Sequence, residues 1–183
     1  MIDEIFDIVN EHDEVIGRQP RPVVHRDGLR HRATHIFVFN ARGEIFLQKR
    51  SMSKDTHPGT WDSSASGHVD CGENYDDCAV RELMEEIGLK AEDSPQRLFK
   101  IAACPETGQE FVWVYTCHAE GPFVLNAEEI ETGAWFFPDK VSEWVKNSPG
   151  DFSPAFVLIW NRWIEPQASR KTIPSKEKTK SNT

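Results

Sequence analysis

Positive charge is scarce in this sequence. Its 183 residues include 21 Lys and Arg against 30 Asp and Glu, and the formal net charge is -9 at pH 7. A protein that binds a nucleic-acid polymer non-specifically needs a basic surface to neutralise the phosphates. We therefore predict that no nucleic-acid polymer is a partner, and any phosphorylated ligand would need a local source of positive charge, most simply a divalent cation.

The signatures of an oxidising compartment and of a membrane are also absent. The four cysteines form no C-x-x-C pair and no disulfide-like framework, so we interpret them as reduced thiols. No apolar run approaches the roughly 18 residues that span a bilayer. The first ten residues carry Asp3, Glu4 and Asp7 without a basic segment, unlike a signal peptide. We predict a cytoplasmic protein with no membrane partner.

No internal repeat and no Pro/Gly-rich linker divides the chain, so we predict one domain over residues 1–166 and a disordered polar tail over residues 167–183. Hydrophobic periodicity indicates an α/β protein with a mixed sheet. Strands are predicted at 34–40, 44–50, 98–102, 111–118 and 134–137, after a small hairpin at 5–17. Helices are predicted at 73–87, 139–146 and 154–164. Residues 18–33, which contain Pro20 and Pro22, are expected to form an extended or irregular connection.

The helix predicted at 73–87 carries a cluster of carboxylates. Glu82, Glu85 and Glu86 stand at positions i, i+3 and i+4, which lie on one helix face. Carboxylates that converge in this way repel each other unless a cation intervenes, and their hard oxygens suit Mg²⁺ or Mn²⁺. A solvated helix face is the ordinary alternative for such a spacing, so the surrounding residues have to decide between the two.

Those surroundings form a longer pattern. Gly67, five residues, Glu73, seven residues and then Arg81-Glu82-Leu83-Met84-Glu85-Glu86-Ile87-Gly88-Leu89 reproduces the box of the Nudix superfamily at every fixed position. The sequence thus resembles Nudix hydrolases, and the flanking elements extend the resemblance over most of residues 5–165. The resemblance implies an α/β/α sandwich with a mixed sheet.

The same resemblance implies roles for individual residues. The metal ligands would be Glu82, Glu85, Glu86 and the Gly67 carbonyl, with Mg²⁺ as the cofactor and Mn²⁺ as a substitute. Arg81 would orient the glutamates, and Glu73 would support them. Glu82, Glu85, Arg81 and Glu110 are the catalytic candidates. Glu110 is included because a glutamate outside the box often assists as a base or ligand in this family.

A narrower likeness concerns histidines. His25, His31, Leu47-Gln48-Lys49-Arg50, Pro58-Gly59-Thr60-Trp61 and Gly67-His68 resemble the isopentenyl-diphosphate isomerase branch of the Nudix proteins. In that branch histidines and glutamates bind a metal, which implies a second metal site at His25, His31 and His68, with Glu110. However, Ser66 stands where that branch has its cysteine, and Gly108 replaces a glutamate. Serine is a poor substitute for a thiol in proton transfer because its pKa is far higher.

We therefore predict a magnesium-dependent hydrolase that cleaves a diphosphate bond in a nucleoside diphosphate-X or related small molecule. An isopentenyl-diphosphate isomerase-like enzyme and a non-catalytic, ligand-sensing domain are the alternatives. Lys49 and Arg50 are candidate phosphate contacts, and Trp61 belongs either to the core or to a base-stacking surface. The sequence does not identify the group attached to the diphosphate, the general base or the oligomeric state.

Overall fold

A computed structural model describes residues 4–90 and 93–165. The polar tail predicted at 167–183 lies outside these residues. None of the helices in the described ranges is both long and apolar enough to cross a bilayer. The cytoplasmic location stays a prediction.

The described residues form nine strands and four helices, with two short 3₁₀ turns. The strands are β1 (Ile5–Val9), β2 (Val15–Pro20), β3 (His31–Phe39), β4 (Ile45–Arg50), β5 (Trp61–Asp62), β6 (Ala65–His68), β7 (Gln96–Ile101), β8 (Glu110–His118) and β9 (Ile130–Phe136). The helices are α1 (Arg21–Asp27), α2 (Tyr75–Ile87), α3 (Pro138–Asn147) and α4 (Pro154–Ile164).

The main sheet is mixed, as predicted, and β3 is its organising strand. β8 pairs with β3 in parallel along the whole length of β3, and β7 continues the sheet beyond β8. The other edge of β3 is divided between two strands. Val38 and Phe39 pair with β4, whereas residues 33–36 pair with β6. Because β4 leaves β3 after this short ladder and pairs with β5 and β9, a cleft opens between the end of β4 and β6.

Helices cover both faces of the sheet, which confirms the α/β/α sandwich. On one face, α2 buries Ala79, Leu83 and Ile87 against Ile36 and Val38 of β3. On the other face, α3 and α4 pack against alternate residues of the same strands, with these buried members: Phe37, Leu47, Val141, Val145, Phe156, Ile159 and Trp160. The period-two alternation of β3 thus sends neighbouring side chains into two separate cores.

The expectation of an irregular connection over residues 18–33 is wrong. Residues 21–27 form α1, whose Val24 is fully buried against Phe6 and Ile8. Pro22 lies in the first turn of this helix, where the missing N–H would have no intrahelical partner in any case. Gly28 ends the helix in the left-handed conformation. The prolines therefore mark the start of a helix here.

The ends of α2 follow directly from its sequence. The Asn74 side chain accepts hydrogen bonds from the backbone N–H groups of Asp76 and Asp77, so the helix begins at Tyr75, two residues later than predicted. Gly88 closes the helix at φ 64°, as predicted. Glu73 consequently lies in the preceding turn, where its carboxylate accepts from the Asp70 N–H at 3.0 Å and faces Arg81.

Candidate active site

The cleft beside β6 is a polar cavity of about 560 Å³. The cavity is lined by α1, β3, β6, α2 and the loops after β4 and β7. Two groups of predicted residues meet in it. We call Gly67, Glu82, Glu85 and Glu86 the carboxylate centre, and His25, His31, His68 and Glu110 the histidine centre.

Two members of the carboxylate centre are buried and one is exposed. Glu82 and Glu86 are only 8% and 5% exposed, whereas Glu85 lies on the open side of the helix. Burial and the neighbouring Glu86 raise the pKa of Glu82. Burial also raises the pKa of Glu86, although its carboxylate accepts from the Gln48 amide at 2.7 Å and from the Ser66 N–H at 2.9 Å. A hard divalent cation fits this donor set, because it would offset the repulsion between the two buried carboxylates.

Arg81 connects the carboxylates to the loop before the helix. Its guanidinium donates to Glu82 at 2.7 Å, to Glu85 at 3.0 Å and to Glu73 at 2.9 Å. It also donates to the His68 carbonyl at 2.9 Å, which ties α2 to β6. A guanidinium with five donors in a fixed fork can hold this number of acceptors in place. Arg81 therefore has the position of an orienting residue.

Gly67 is a glycine because Glu82 occupies the space of a side chain. A Cβ atom built at Gly67 would collide with the Glu82 carboxylate. Gly67 pairs with Thr34 on the face of β3 that α2 covers, so its backbone approaches the helix closely. The close approach puts the Gly67 backbone beside the Glu82 carboxylate. The resemblance to Nudix hydrolases implies that these two groups are ligands of the same cation.

The histidine centre gathers residues from four elements. His25 of α1, His31 of β3 and His68 of β6 each offer a ring nitrogen, and these atoms lie within 4.8 Å of one another. Glu110 lies at 3.0 Å from His68 Nε2 and at 3.5 Å from His31 Nε2. Phe6 stacks on His31 and His68 with ring-centroid distances of 5.6 and 4.6 Å and seals one side.

Two observations fit the histidine centre to a transition metal. Nδ1 of His31 lies 2.9 Å from the Leu29 carbonyl, which fixes its proton there and leaves the Nε2 lone pair free. This Nε2 is one of two buried side-chain polar atoms that make no hydrogen bond within the described ranges. Burial, followed by the neighbouring His68, lowers the pKa of His25 to about 4, so its imidazole is neutral, the form that binds metals. Imidazole and carboxylate donors suit ions such as Zn²⁺, Mn²⁺ or Fe²⁺.

Glu110 is held by the histidines rather than free to act as a general base. Burial would raise its pKa, but the neighbouring rings of His31 and His68 outweigh burial and lower it. The carboxylate is thus held ionised between two imidazoles. This geometry places Glu110 in the histidine centre rather than in the carboxylate centre.

Other predicted contacts separate into two groups. Arg50 lines the cavity, whereas Lys49 does not and instead pairs with Glu131 at 3.0 Å. Trp61 packs edge-on against Phe136 and Trp144, which is a core role and not a base-stacking surface.

The cavity residues that the sequence analysis missed include Arg21, Lys54 and His35. Arg21 lies in the helix that the prolines concealed, and Lys54 lies in a polar loop without a recognisable motif. His35 could have been found from the sequence, because the alternation of side chains along β3 puts it on the same strand face as His31.

The sequence model of the NUDIX domain family matches residues 29–156. The chain belongs to the Nudix family. An uncharacterized Nudix hydrolase of Yersinia pestis is 38% identical to this Nudix protein over 164 residues, which cover 88% of this chain and 86% of that relative. The uncharacterized Nudix hydrolase YfcD of Escherichia coli K12 is 31% identical over 173 residues, covering 93% and 92%. The Nudix membership predicted from residues 67–89 is therefore confirmed, and the protein is an enzyme of the Nudix hydrolase type.

Solved structures have the same fold. DR0079 from Deinococcus radiodurans aligns with a TM-score of 0.79 and 26% identity, covering 88% of this chain and 100% of that chain. The NUDIX domain of Shewanella oneidensis NrtR, solved in complex with ADP ribose, aligns with a TM-score of 0.58 and 14% identity over 73% and 85% of the two chains. The second likeness concerns the fold alone.

Proposed function

We propose that this Nudix protein hydrolyses a diphosphate bond in a small-molecule substrate with Mg²⁺ as its cofactor, for which Mn²⁺ can substitute. The observation that carries this proposal is the carboxylate centre, in which two buried glutamates and an exposed one adjoin a glycine backbone at the edge of a polar cavity. Glu82, Glu85, Glu86 and the Gly67 carbonyl would hold the cation. When bound, the cation neutralises charge that develops on the phosphate oxygens.

Three cationic side chains of the cavity support the binding of a diphosphate. Arg21, Arg50 and Lys54 line the cavity together with the carboxylate centre, and each has an acidic partner there, namely Glu4, Asp62 and Glu129 in the same order. The Nε of Arg21 is buried and has no hydrogen-bond partner among the described residues, and Arg50 donates to the Thr56 carbonyl at 2.9 Å. Guanidinium and ammonium groups bind phosphate oxygens with charge-assisted hydrogen bonds. The substrate would thus be gripped on both sides, by cations of the protein and through the carboxylate centre.

Glu85 is the best general base among the four glutamates of the two centres. It is the exposed member of the carboxylate centre, and among the described residues only the Arg81 guanidinium forms an ion pair with its carboxylate. Glu82 and Glu86 are buried, and Glu110 is engaged by two histidines. In this proposal Arg81 keeps the Glu85 carboxylate in place, and Glu85 accepts a proton from a water whose oxygen bonds to one phosphorus. The bond between this phosphorus and the bridging oxygen breaks, and the second phosphate leaves with that oxygen.

We also propose that the histidine centre holds a second, softer metal ion. The isomerase branch is the specific competitor that this centre favours, because its three histidines and Glu110 are present, whereas Gly108 replaces one of its glutamates. Ser66 argues against that reaction, since a serine hydroxyl cannot take over the proton transfer of a thiol. Formation of dimethylallyl diphosphate from isopentenyl diphosphate would establish the isomerase instead of the hydrolase.

The test is phosphate release in Mg²⁺ from nucleoside diphosphates, nucleotide sugars, dinucleotides and prenyl diphosphates. Glu85→Gln is the variant, and Glu143→Gln on the exposed side of α3 is the matched control. We expect turnover of one substrate class that the variant loses and the control keeps. Binding of Mg²⁺ and of substrates without any turnover would reject the hydrolase and favour a ligand sensor.

A further inference from the structure

His35 is a buried histidine that belongs to neither centre. It lies in the middle of β3, opposite Ser66 of β6, and it is 5% exposed. Ala33 and His35 are the β3 residues that, with His25 and His68, reach the cavity wall. A histidine that merely filled the core would have both ring nitrogens satisfied by protein groups.

The Nδ1 side of His35 is fully engaged. Nδ1 lies 2.8 Å from the Ser63 hydroxyl and 3.6 Å from the Asp62 carboxylate. Asp62 is fixed in turn, because it accepts from the Ser63 N–H at 2.8 Å and lies 3.6 Å from the Arg50 guanidinium. A carboxylate near Nδ1 favours the tautomer with the proton on Nδ1. The Nε2 lone pair then remains available.

Nε2 of His35 makes no hydrogen bond with any described residue. It is not among the buried side-chain atoms that lack a partner, so it is not fully enclosed, and His35 lines the cavity. Burial lowers the pKa of His35 in spite of the Asp62 carboxylate, which keeps the ring neutral. A neutral imidazole in this tautomer offers a hydrogen-bond acceptor to whatever fills the cavity.

Few of the side chains that line the rest of the cavity are wholly apolar. Its lining contains three side chains made only of carbon and hydrogen, those of Phe6, Ala33 and Ala155. Phe6 already stacks on the histidine centre. A hydrocarbon group would therefore leave polar side chains such as Ser66 without partners, which costs free energy, whereas a hydroxylated group would satisfy them.

We propose that His35 is a specificity-determining residue, whose Nε2 accepts a hydrogen bond from a hydroxyl on the group attached to the substrate's diphosphate. Ser63 and Asp62 are positioning residues that fix the tautomer. The enzyme consequently prefers hydroxyl-bearing diphosphates to hydrocarbon diphosphates. This inference rests on the proposed function, because it assumes that a diphosphate occupies the cavity.

The experiment compares two five-carbon probes that differ in hydroxylation. Methylene-bridged, non-hydrolysable analogues of ribose 5-diphosphate and isopentenyl diphosphate are titrated by calorimetry in Mg²⁺. We expect the wild-type protein to bind the ribose analogue about tenfold more tightly. His35→Phe should lose about tenfold for the ribose analogue and change little for the isopentenyl analogue. His12→Phe, at an exposed turn, is the matched control.

Ser63→Ala provides a variant that leaves the imidazole in place. We expect a loss of about threefold for the ribose analogue only, since the hydroxyl no longer fixes the ring. The ¹⁵N shifts of His35 should indicate one tautomer in the wild type and a mixture in Ser63→Ala. A purely structural role of His35 would lower the melting temperature but weaken both probes equally, which would overturn the inference.

Failure of this inference can be distinguished from failure of the proposed function. Turnover of the two parent diphosphates at equal efficiency by the wild type would overturn the role of His35 and leave the hydrolase intact. Preferential binding of the ribose analogue, lost in His35→Phe, without turnover of any diphosphate would support His35 and overturn the hydrolase. Wild-type protein that is folded and binds neither analogue would overturn the inference.

Discussion

The carboxylate centre and the histidine centre face one cavity but are assembled differently. The carboxylate centre comes from one continuous stretch, Gly67 to Glu86, in which the end of β6, a loop and α2 bring all its residues together. The histidine centre takes one residue each from α1, β3, β6 and β8, which meet only because the sheet has its particular register. A local motif is therefore readable from spacing alone, whereas a dispersed centre depends on the pairing of distant strands.

The largest expected effect is the loss of activity in a variant of the carboxylate centre. Glu86→Gln should lower kcat/KM about 10³-fold, because the buried carboxylate is a proposed ligand of the catalytic cation and metal-ion stabilisation contributes several kcal/mol. Phosphate release in Mg²⁺ measures the change, with Glu143→Gln as the control. A reduction below tenfold would remove Glu86 from the carboxylate centre.

The second effect tests how tightly the local motif is packed. Gly67→Ala should destabilise the fold by about 1–3 kcal/mol, since the added methyl group would overlap the Glu82 carboxylate. Activity should fall about 10²-fold if Glu82 is displaced. Gly150→Ala is the matched control, because a Cβ there meets no atom within 4 Å. Equal melting temperatures for the two variants would contradict the close approach of β6 and α2.

Asp13, Arg32, Tyr75 and Lys100 form a charged cluster outside both centres. A change in this cluster should alter the stability of the fold and not the activity. Burial would raise the pKa of Asp13, but hydrogen bonds from Lys100, Arg32 and Tyr75 outweigh it and hold the pKa below 3.8. A lowered folded-state pKa stabilises the fold above pH 3.8, and this stabilisation is lost as the pH falls through the folded value.

Asp13→Asn should therefore cost about 2 kcal/mol at pH 7 and progressively less as the pH falls below about 4. Asparagine tolerates the positive φ of 62° at this position, so the substitution tests the charge. Urea unfolding at pH 7, 5 and 3 measures the difference, and Asp27→Asn at the exposed end of α1 is the control. A pH-independent difference would mean that the carboxylate charge is not what stabilises the cluster. Catalysis by either centre should remain unchanged.

The smallest expected effect concerns the histidine centre. His68→Gln should abolish the bound transition metal, measured by elemental analysis after purification without chelators, and should lower Mg²⁺-dependent turnover only about tenfold. His12→Gln is the control and should keep the metal. If the wild-type protein contains no transition metal, this centre is a hydrogen-bonded histidine cluster and not a metal site. A loss as large as that of Glu86→Gln would mean that the two centres act as one.

Much of the fold was predictable because its signals are local. The period of 3.6 in residues 75–87, the Gly88 cap and the period of two in β3 each depend on near neighbours in the chain. The start of α2 was missed by two residues because the Asn74 cap is stronger than the helical preference of Glu73. α1 was missed because Pro20 and Pro22 were interpreted as breakers, although a proline in a first turn breaks nothing.

The sequence by itself determined the family, the α/β class and the carboxylate centre, since all three depend on residue type at fixed spacing along one chain segment. Only the tertiary structure decided that Arg50 and not Lys49 lines the cavity, that Glu110 joins the histidines, and that His35 lines the same cavity. These outcomes depend on which edge of β3 pairs with which strand. Strand pairing depends on contacts between segments that are distant in the sequence. The spacing of residues within one segment does not indicate which other segment it pairs with.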